Sequence, residues 1–145
     1  MRLDGPEATE AFGRRLATQL RAGDAVALFG ELGAGKTTLA RGILAGLGHR
    51  GDVASPTFPI VIPYETLAVP AWHVDLYRIE DSTELEELAL DEGLEEGVLI
   101  VEWPERLGRA LWPDSLRLTL RRLGEGARAL TAGVPPAWEA RWPPR

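Results

Sequence analysis

Cysteine is absent from this 145-residue sequence. Neither a disulfide framework nor a thiolate zinc site can form in it, which fits a reducing compartment. Long apolar runs are missing too. The longest stretch without a charge, Val53–Tyr64, has twelve residues and three prolines, too short and too broken to cross a bilayer. Arg2, Asp4 and Glu7 precede any apolar run, which is unlike a secretory leader. These absences predict a soluble, cytoplasmic protein with no membrane attachment. Basic residues are in deficit: sixteen Lys and Arg against twenty-two Asp and Glu, a net charge of −6. Proteins that grip nucleic acid unaided draw most of their affinity from phosphate neutralisation, so strong autonomous RNA or DNA binding is not expected. Lysine is scarcest of all. Lys36 is the single one.

What is present suits one compact domain, since a chain of this size buries roughly 68–70% of its unfolded surface. Pro6 opens a helical pattern with Ala8, Phe12, Leu16 and Leu20 four apart. Ala25–Phe29 is a short apolar run that stops at glycine, as a strand buried on both faces does. Glycine-rich sequence then leads into Lys36–Leu47, whose apolar residues have helical spacing. Phe58–Tyr64 reads as an edge strand because of Pro59 and Pro63. Ala71–Asp75 and Val98–Val101 are apolar stretches that each run into an acid. Thr83–Glu86 matches a capping box. Leu116, Leu118 and Leu120 alternate with polar residues, predicting a strand with one solvated face. The alternation of strand and helix predicts an α/β, P-loop NTPase-like fold. Its central sheet is expected to be mostly parallel and flanked by helices, with antiparallel strands toward the C-terminus. The domain is expected to span residues 1–134, and the Pro-, Trp- and Arg-rich residues 135–145 to form a poorly ordered tail.

Chemistry concentrates at Gly30-Glu31-Leu32-Gly33-Ala34-Gly35-Lys36-Thr37, a match to the phosphate-binding (Walker A) pattern G-x-x-x-x-G-K-[ST]. The glycines let successive N–H groups turn inward to form a concave anion site. The following helix adds the positive end of its dipole there. Lys36 is placed against the β/γ-phosphates, and Thr37 offers a hydroxyl to Mg²⁺. A glycine loop that merely turns the chain is the plainer alternative, but the strand before and the helix after are the context the motif requires. In a chain that otherwise uses arginine, the one compact ammonium stands where that chemistry calls for it.

Such a site also needs an acid at a strand end near the metal. Asp75 and Glu102 are the two candidates; one is expected to touch Mg²⁺ and the other to orient the attacking water. Ser55–Phe58 stands where a γ-phosphate-sensing switch would lie, although its residues alone slightly favour an ordinary hydroxyl-rich turn. His73 is expected to be packed in the core, Trp103 to be either core or a lid, and Arg41 to be solvated or paired. The guanine-reading pattern N-K-x-D cannot occur, because it would need a second lysine. The nucleotide is therefore expected to be ATP.

These residues resemble a known family, the bacterial tRNA threonylcarbamoyladenosine biosynthesis ATPases called TsaE. Residues 30–38 with Arg41-Gly42 look like its phosphate loop, and Ser-Pro-Thr-Phe at 55–58 looks like its switch. His-Val-Asp-Leu-Tyr-Arg at 73–78 with Glu84-Leu85, and Val-Glu-Trp-Pro at 101–104, are similar to its two later signatures. The resemblance runs from about Glu7 to Leu120. It implies ATP hydrolysis with Lys36, Asp75 and Glu102 as the catalytic residues. It also implies Mg²⁺ on Thr37 and Glu102, and nucleotide contacts from Thr9, Glu31, Leu32, Gly33, Ala34, Gly35, Lys36, Thr37 and Thr38. The partner it implies is a TsaB–TsaD heterodimer, and the target is the adenosine beside the anticodon of tRNAs reading ANN codons. Slow turnover without partners is expected. Two rival readings are a small-molecule P-loop kinase and a non-catalytic module whose assembly depends on ATP.

Overall fold

Five residues, Ala25–Phe29, set the frame. They form a strand with no polar side chain, and such a strand is stable only when both of its faces are covered. The protein covers them with helices, in a computed structural model that describes residues 1–54 and 60–144. The elements in chain order are β1 (Arg2–Asp4), α1 (Pro6–Ala17), β2 (Ala25–Phe29), α2 (Lys36–Gly46), β3 (Val61–Tyr64) and β4 (Ala71–Asp75). Then come α3 (Ser82–Glu87), α4 (Leu90–Glu96), β5 (Val98–Glu102), β6 (Leu116–Arg122) and β7 (Ala127–Gly133). Short 3₁₀ segments occupy Pro104–Ala110 and Pro136–Trp138.

The seven strands form one sheet in the order β1-β7-β6-β2-β5-β4-β3. Its centre is parallel (β6-β2-β5-β4), while β3 on one side and β7 on the other run antiparallel to their neighbours. This is the mostly parallel α/β sheet expected from the sequence. Side-chain alternation splits it into two faces. Val26, Leu28, Ile100, Leu118 and Leu120 pack with Phe12 and Leu16 of α1 and with Leu39, Ile43 and Leu44 of α2. On the other face, Ala25, Val74, Leu99 and Val101 pack with Leu76, Ile79, Leu90 and Leu107. The outer face of β6 is solvated, with Arg117, Thr119 and Arg121 exposed, as its alternation predicted. Helices α1 and α2 approach closely at Gly42, where a Cβ would lie 2.3 Å from the Glu10 carbonyl oxygen. Only glycine fits there, and the contact seats α1 against the middle of α2.

The structure differs from expectation in four places. Strands β1 and β7 were not foreseen: Arg2–Asp4 is too short for periodicity, and Ala127–Gly133 is too rich in Ala and Gly to look strand-like. The edge strand begins at Val61; Phe58 and Pro59 of the expected strand, like Ser55–Thr57, lie outside the described residues. The cap of α3 is Asp81 and not the Thr83 box: Asp81 Oδ1 accepts from Glu84 N–H at 3.0 Å, and Glu84 Oε2 accepts from Glu80 N–H at 3.1 Å. Finally, the segment expected to be a poorly ordered tail packs against the domain. Trp138 is fully buried, and Arg141 makes a two-pronged ion pair with Asp24 at 2.6 and 3.1 Å. No helix among the described residues is long and apolar enough to cross a membrane.

Candidate phosphate and metal site

The site lies at the C-terminal ends of the parallel strands, where the loop after β2 turns into α2. Gly30, Gly33 and Gly35 all take positive φ, and Gly35 caps α2 in the left-handed conformation. The turn is closed by Ala34 N–H donating to Glu31 O at 3.0 Å. Glu31, Leu32 and Gly33 form an exposed crest, whereas Ala34 and Lys36 are buried.

Lys36 folds back beneath the crest. Its ammonium donates to the Gly30 carbonyl and lies 3.6 Å from the centre of the Trp103 ring. Burial lowers its pKa against the pull of the Glu102, Glu105 and Asp75 carboxylates, which raise it. Trp103 itself has positive φ, the residue just past β5, and its ring sits 4.9 Å from that of Tyr77. It is half-buried over Lys36. The two readings left open for it resolve into a cover on the lysine.

Strand register brings the two candidate acids together. Asp75 and Glu102 are direct partners where β4 and β5 end, and alternation turns both toward the α2 side. Thr37 Oγ1 donates to the Glu102 carboxylate, 3.0 and 3.1 Å from its two oxygens. A hydroxyl and a carboxylate in contact are a hard-oxygen pair of the kind Mg²⁺ takes. Asp75 Oδ1 accepts the Tyr77 N–H at 2.9 Å. Burial raises the Asp75 pKa, and the Glu102 charge adds to the rise; the Tyr77 N–H, Lys36 and His73 oppose it.

His73 is more than a packed residue. It is fully buried on β4, and its Nε2 lies 2.6 Å from Glu102 Oε2. Its place two residues before Asp75 puts it on the same strand face, the one signal in the sequence that could have linked it to the acids. Thr9 is buried on α1 with its hydroxyl donating to Gly5 O at 3.3 Å. Thr9 and Thr38 line a cavity of about 50 Å³ with Pro6, Gly35, Gly126 and Arg128. The structure thus gathers Lys36, Thr37, Asp75 and Glu102 into one cluster, and sets Thr9 and Thr38 on its α1 side. Arg41 turns away and pairs with Glu10 at 3.5 Å.

Comparison with known proteins identifies the family. Residues 3–130 match the family described as "Threonylcarbamoyl adenosine biosynthesis protein TsaE". The tRNA threonylcarbamoyladenosine biosynthesis protein TsaE of Streptomyces coelicolor is 52% identical over 113 residues, covering 76% of each chain. The protein of the same name from Bacillus subtilis is 40% identical over 127 residues, covering 87% of this chain and 79% of that one. Among solved structures, Bacillus subtilis YdiB superposes with a TM-score of 0.82 at 32% identity, over 97% of this chain and 88% of that chain. A match of this extent, reached by family, by relatives and by fold, leaves one conclusion: the chain belongs to the TsaE family.

Proposed function

We propose that this chain is a Mg²⁺-dependent ATPase of tRNA threonylcarbamoyladenosine biosynthesis. It works with a TsaB–TsaD heterodimer on the adenosine beside the anticodon of tRNAs reading ANN codons. The pathway comes from the family and from the names of the relatives. The single observation that carries the ATPase reading is the contact of Thr37 Oγ1 with the Glu102 carboxylate beside the buried Lys36. Loop, ammonium, hydroxyl and acid are the four parts that phosphoryl transfer requires.

In this reading the loop from Glu31 to Thr38 cradles the phosphates of ATP, with Thr9 on the α1 side. Lys36 leaves the Gly30 carbonyl to meet the β/γ-phosphates. Thr37 and Glu102 hold Mg²⁺, which when bound neutralises charge on the phosphate oxygens. His73 fixes the orientation of Glu102, because a fully buried ring 2.6 Å from one carboxylate oxygen leaves that group little freedom. Asp75 orients the attacking water, and a carboxylate whose pKa is raised by burial is a better proton acceptor than an exposed one. Lys36, Asp75 and Glu102 are buried, but the loop crest from Glu31 to Gly33 is exposed, so the side where phosphate would sit faces water. A site open to water stabilises transition-state charge poorly, so turnover is slow until a partner covers it.

The test is phosphate release from Mg·ATP by the purified chain, alone and then with TsaB and TsaD. Slow release alone, faster release with the heterodimer and loss of both in Lys36→Ala are expected. Turnover that depends on a small-molecule acceptor would make it a kinase, and binding without turnover an assembly module.

A further inference from the structure

Two arginines from the neighbouring strands hold the outside of the phosphate loop. Arg128, on β7, donates from Nε to Ala34 O at 2.8 Å and from Nη2 to Gly33 O at 3.3 Å. Arg122, at the end of β6, donates from Nε to Gly33 O at 3.3 Å and from Nη2 to Leu32 O at 3.4 Å. Three successive carbonyls are therefore engaged by two guanidinium groups. A rigid planar fork is suited to this, since one side chain can take two acceptors at once.

The consequence follows from peptide geometry. In a trans peptide the C=O and the following N–H point in opposite directions. Drawing Leu32 O and Ala34 O toward the arginines turns the N–H groups of Gly33 and Gly35 the other way. Between them, Ala34 N–H is spent on Glu31 O at 3.0 Å, which closes the turn. Among the described residues, neither the Gly33 nor the Gly35 N–H has an acceptor. Two donors turned to one side of a loop, at the start of a helix, are what an anion needs.

Gly33 lies against the same Arg122 guanidinium. Its φ is +78°, and a Cβ built there would lie 2.1 Å from Arg122 Nη2. The guanidinium occupies the space a side chain would take. It is the positive φ that requires glycine at this position; the exposed end of Arg122 fills the space beside it. Both arginines also stand on either side of the β6–β7 turn, in paired register with one another, so the hairpin sets their spacing.

We infer that Arg122 and Arg128 are positioning residues: they hold the loop concave from outside, in the shape that binds phosphate. The inference rests on the phosphate-loop reading given above. Rigidity built in before binding lowers the ordering cost at binding, and that is the effect to measure. The variants are Arg128→Ala, Arg128→Lys and Arg122→Ala, the last at an exposed position where the fold is not at stake. Backbone order parameters of the ligand-free protein come first. In Arg128→Ala the Gly33, Ala34 and Gly35 amides should fall from about 0.85 to below about 0.6, while the centre of α2 stays rigid. Calorimetry should then show Mg·ATP and Mg·ADP weakened by equal factors, about tenfold. Arg122→Ala should lose less, because its contacts are longer. Arg128→Lys should recover part of the loss, because one ammonium can still take Ala34 O. Amides that stay rigid in both alanine variants, with parental affinity, would overturn the clamp. A parent that binds no ATP would instead overturn the phosphate-loop reading, and the order parameters would still decide whether the arginines shape the loop.

Discussion

The two ends of strand β2 handle charge in opposite ways. Just before its first residue, Asp24 meets Arg141 through two contacts of 2.6 and 3.1 Å, and the Arg21 N–H donates to the same carboxylate at 2.8 Å. The guanidinium also stacks 3.8 Å from the centre of the buried Trp138 ring. One acid and one base, both nearly buried, are matched. Just after the other end the charges are not paired one to one: Lys36 and His73 lie among Asp75, Glu102 and Glu105. Burial works against the charged forms of Lys36 and Asp75, lowering one pKa and raising the other. Breaking a matched buried pair costs stability, whereas a buried cluster whose charged forms are disfavoured costs it in the native state already. Proteins keep such costs where a ligand offsets them. The first end is built to fold, and the second is where the proposed cation and phosphate would be held.

Breaking either end should separate these roles. The largest effect is expected from Arg141→Ala, which leaves Asp24 buried without its partner and uncovers Trp138. Removing one member of a buried pair costs about 3–5 kcal/mol, measured by denaturant unfolding, while ATP affinity of the folded protein stays parental. Lys36→Ala should do the reverse. It should lose about 1.5–3 kcal/mol of nucleotide affinity in calorimetry. Its loss of unfolding stability, from leaving Asp75 and Glu102 without the ammonium, should be well below that of Arg141→Ala. Loss of stability comparable to that in Arg141→Ala would make Lys36 a structural residue and erase the contrast.

The smallest effect concerns Asp75→Asn, which keeps the acceptor for the Tyr77 N–H and removes the charge. The folded-state pKa of Asp75 lies above its unfolded value, so the native state holds this proton to higher pH. Its ionisation therefore costs stability as pH rises through the folded pKa, and costs nothing below the usual carboxylate range. The ligand-free variant should be more stable than the parent at neutral pH, by under about 1 kcal/mol. That advantage should vanish as the pH is lowered below about 4. An advantage independent of pH would contradict the assignment of the cost to the Asp75 charge.

Much of this contrast could be read in the residues before the fold was seen. Local signals were enough for the phosphate loop, because the G-x-x-x-x-G-K-[ST] spacing is its own geometry. The acids at Asp75 and Glu102 were also visible, because apolar runs that end in a carboxylate mark strand ends at a sheet edge. Their adjacency was not, since it depends on β4 and β5 pairing in one register. His73 looked like core because it is core; its bond to Glu102 crosses between strands. The tail looked unordered because Pro, Trp and Arg have no shared periodicity. Its order comes from contacts distant in sequence: Trp138 in the main core, and Arg141 on Asp24, 117 residues away. Arg122 and Arg128 were invisible as loop contacts for the same reason, and β7, which carries Arg128, had too little β-branched sequence to announce itself.

The claim that the second end awaits a metal–phosphate ligand rests on Glu102. The direct measurement is calorimetric titration of ATP, with Mg²⁺ and with the metal chelated, into the parent and into Glu102→Gln. The account predicts that Mg²⁺ tightens ATP binding in the parent and has much less effect in Glu102→Gln, while chelated ATP binds both proteins alike. Equal tightening by Mg²⁺ in the two proteins, or no ATP binding by the parent at all, would contradict it.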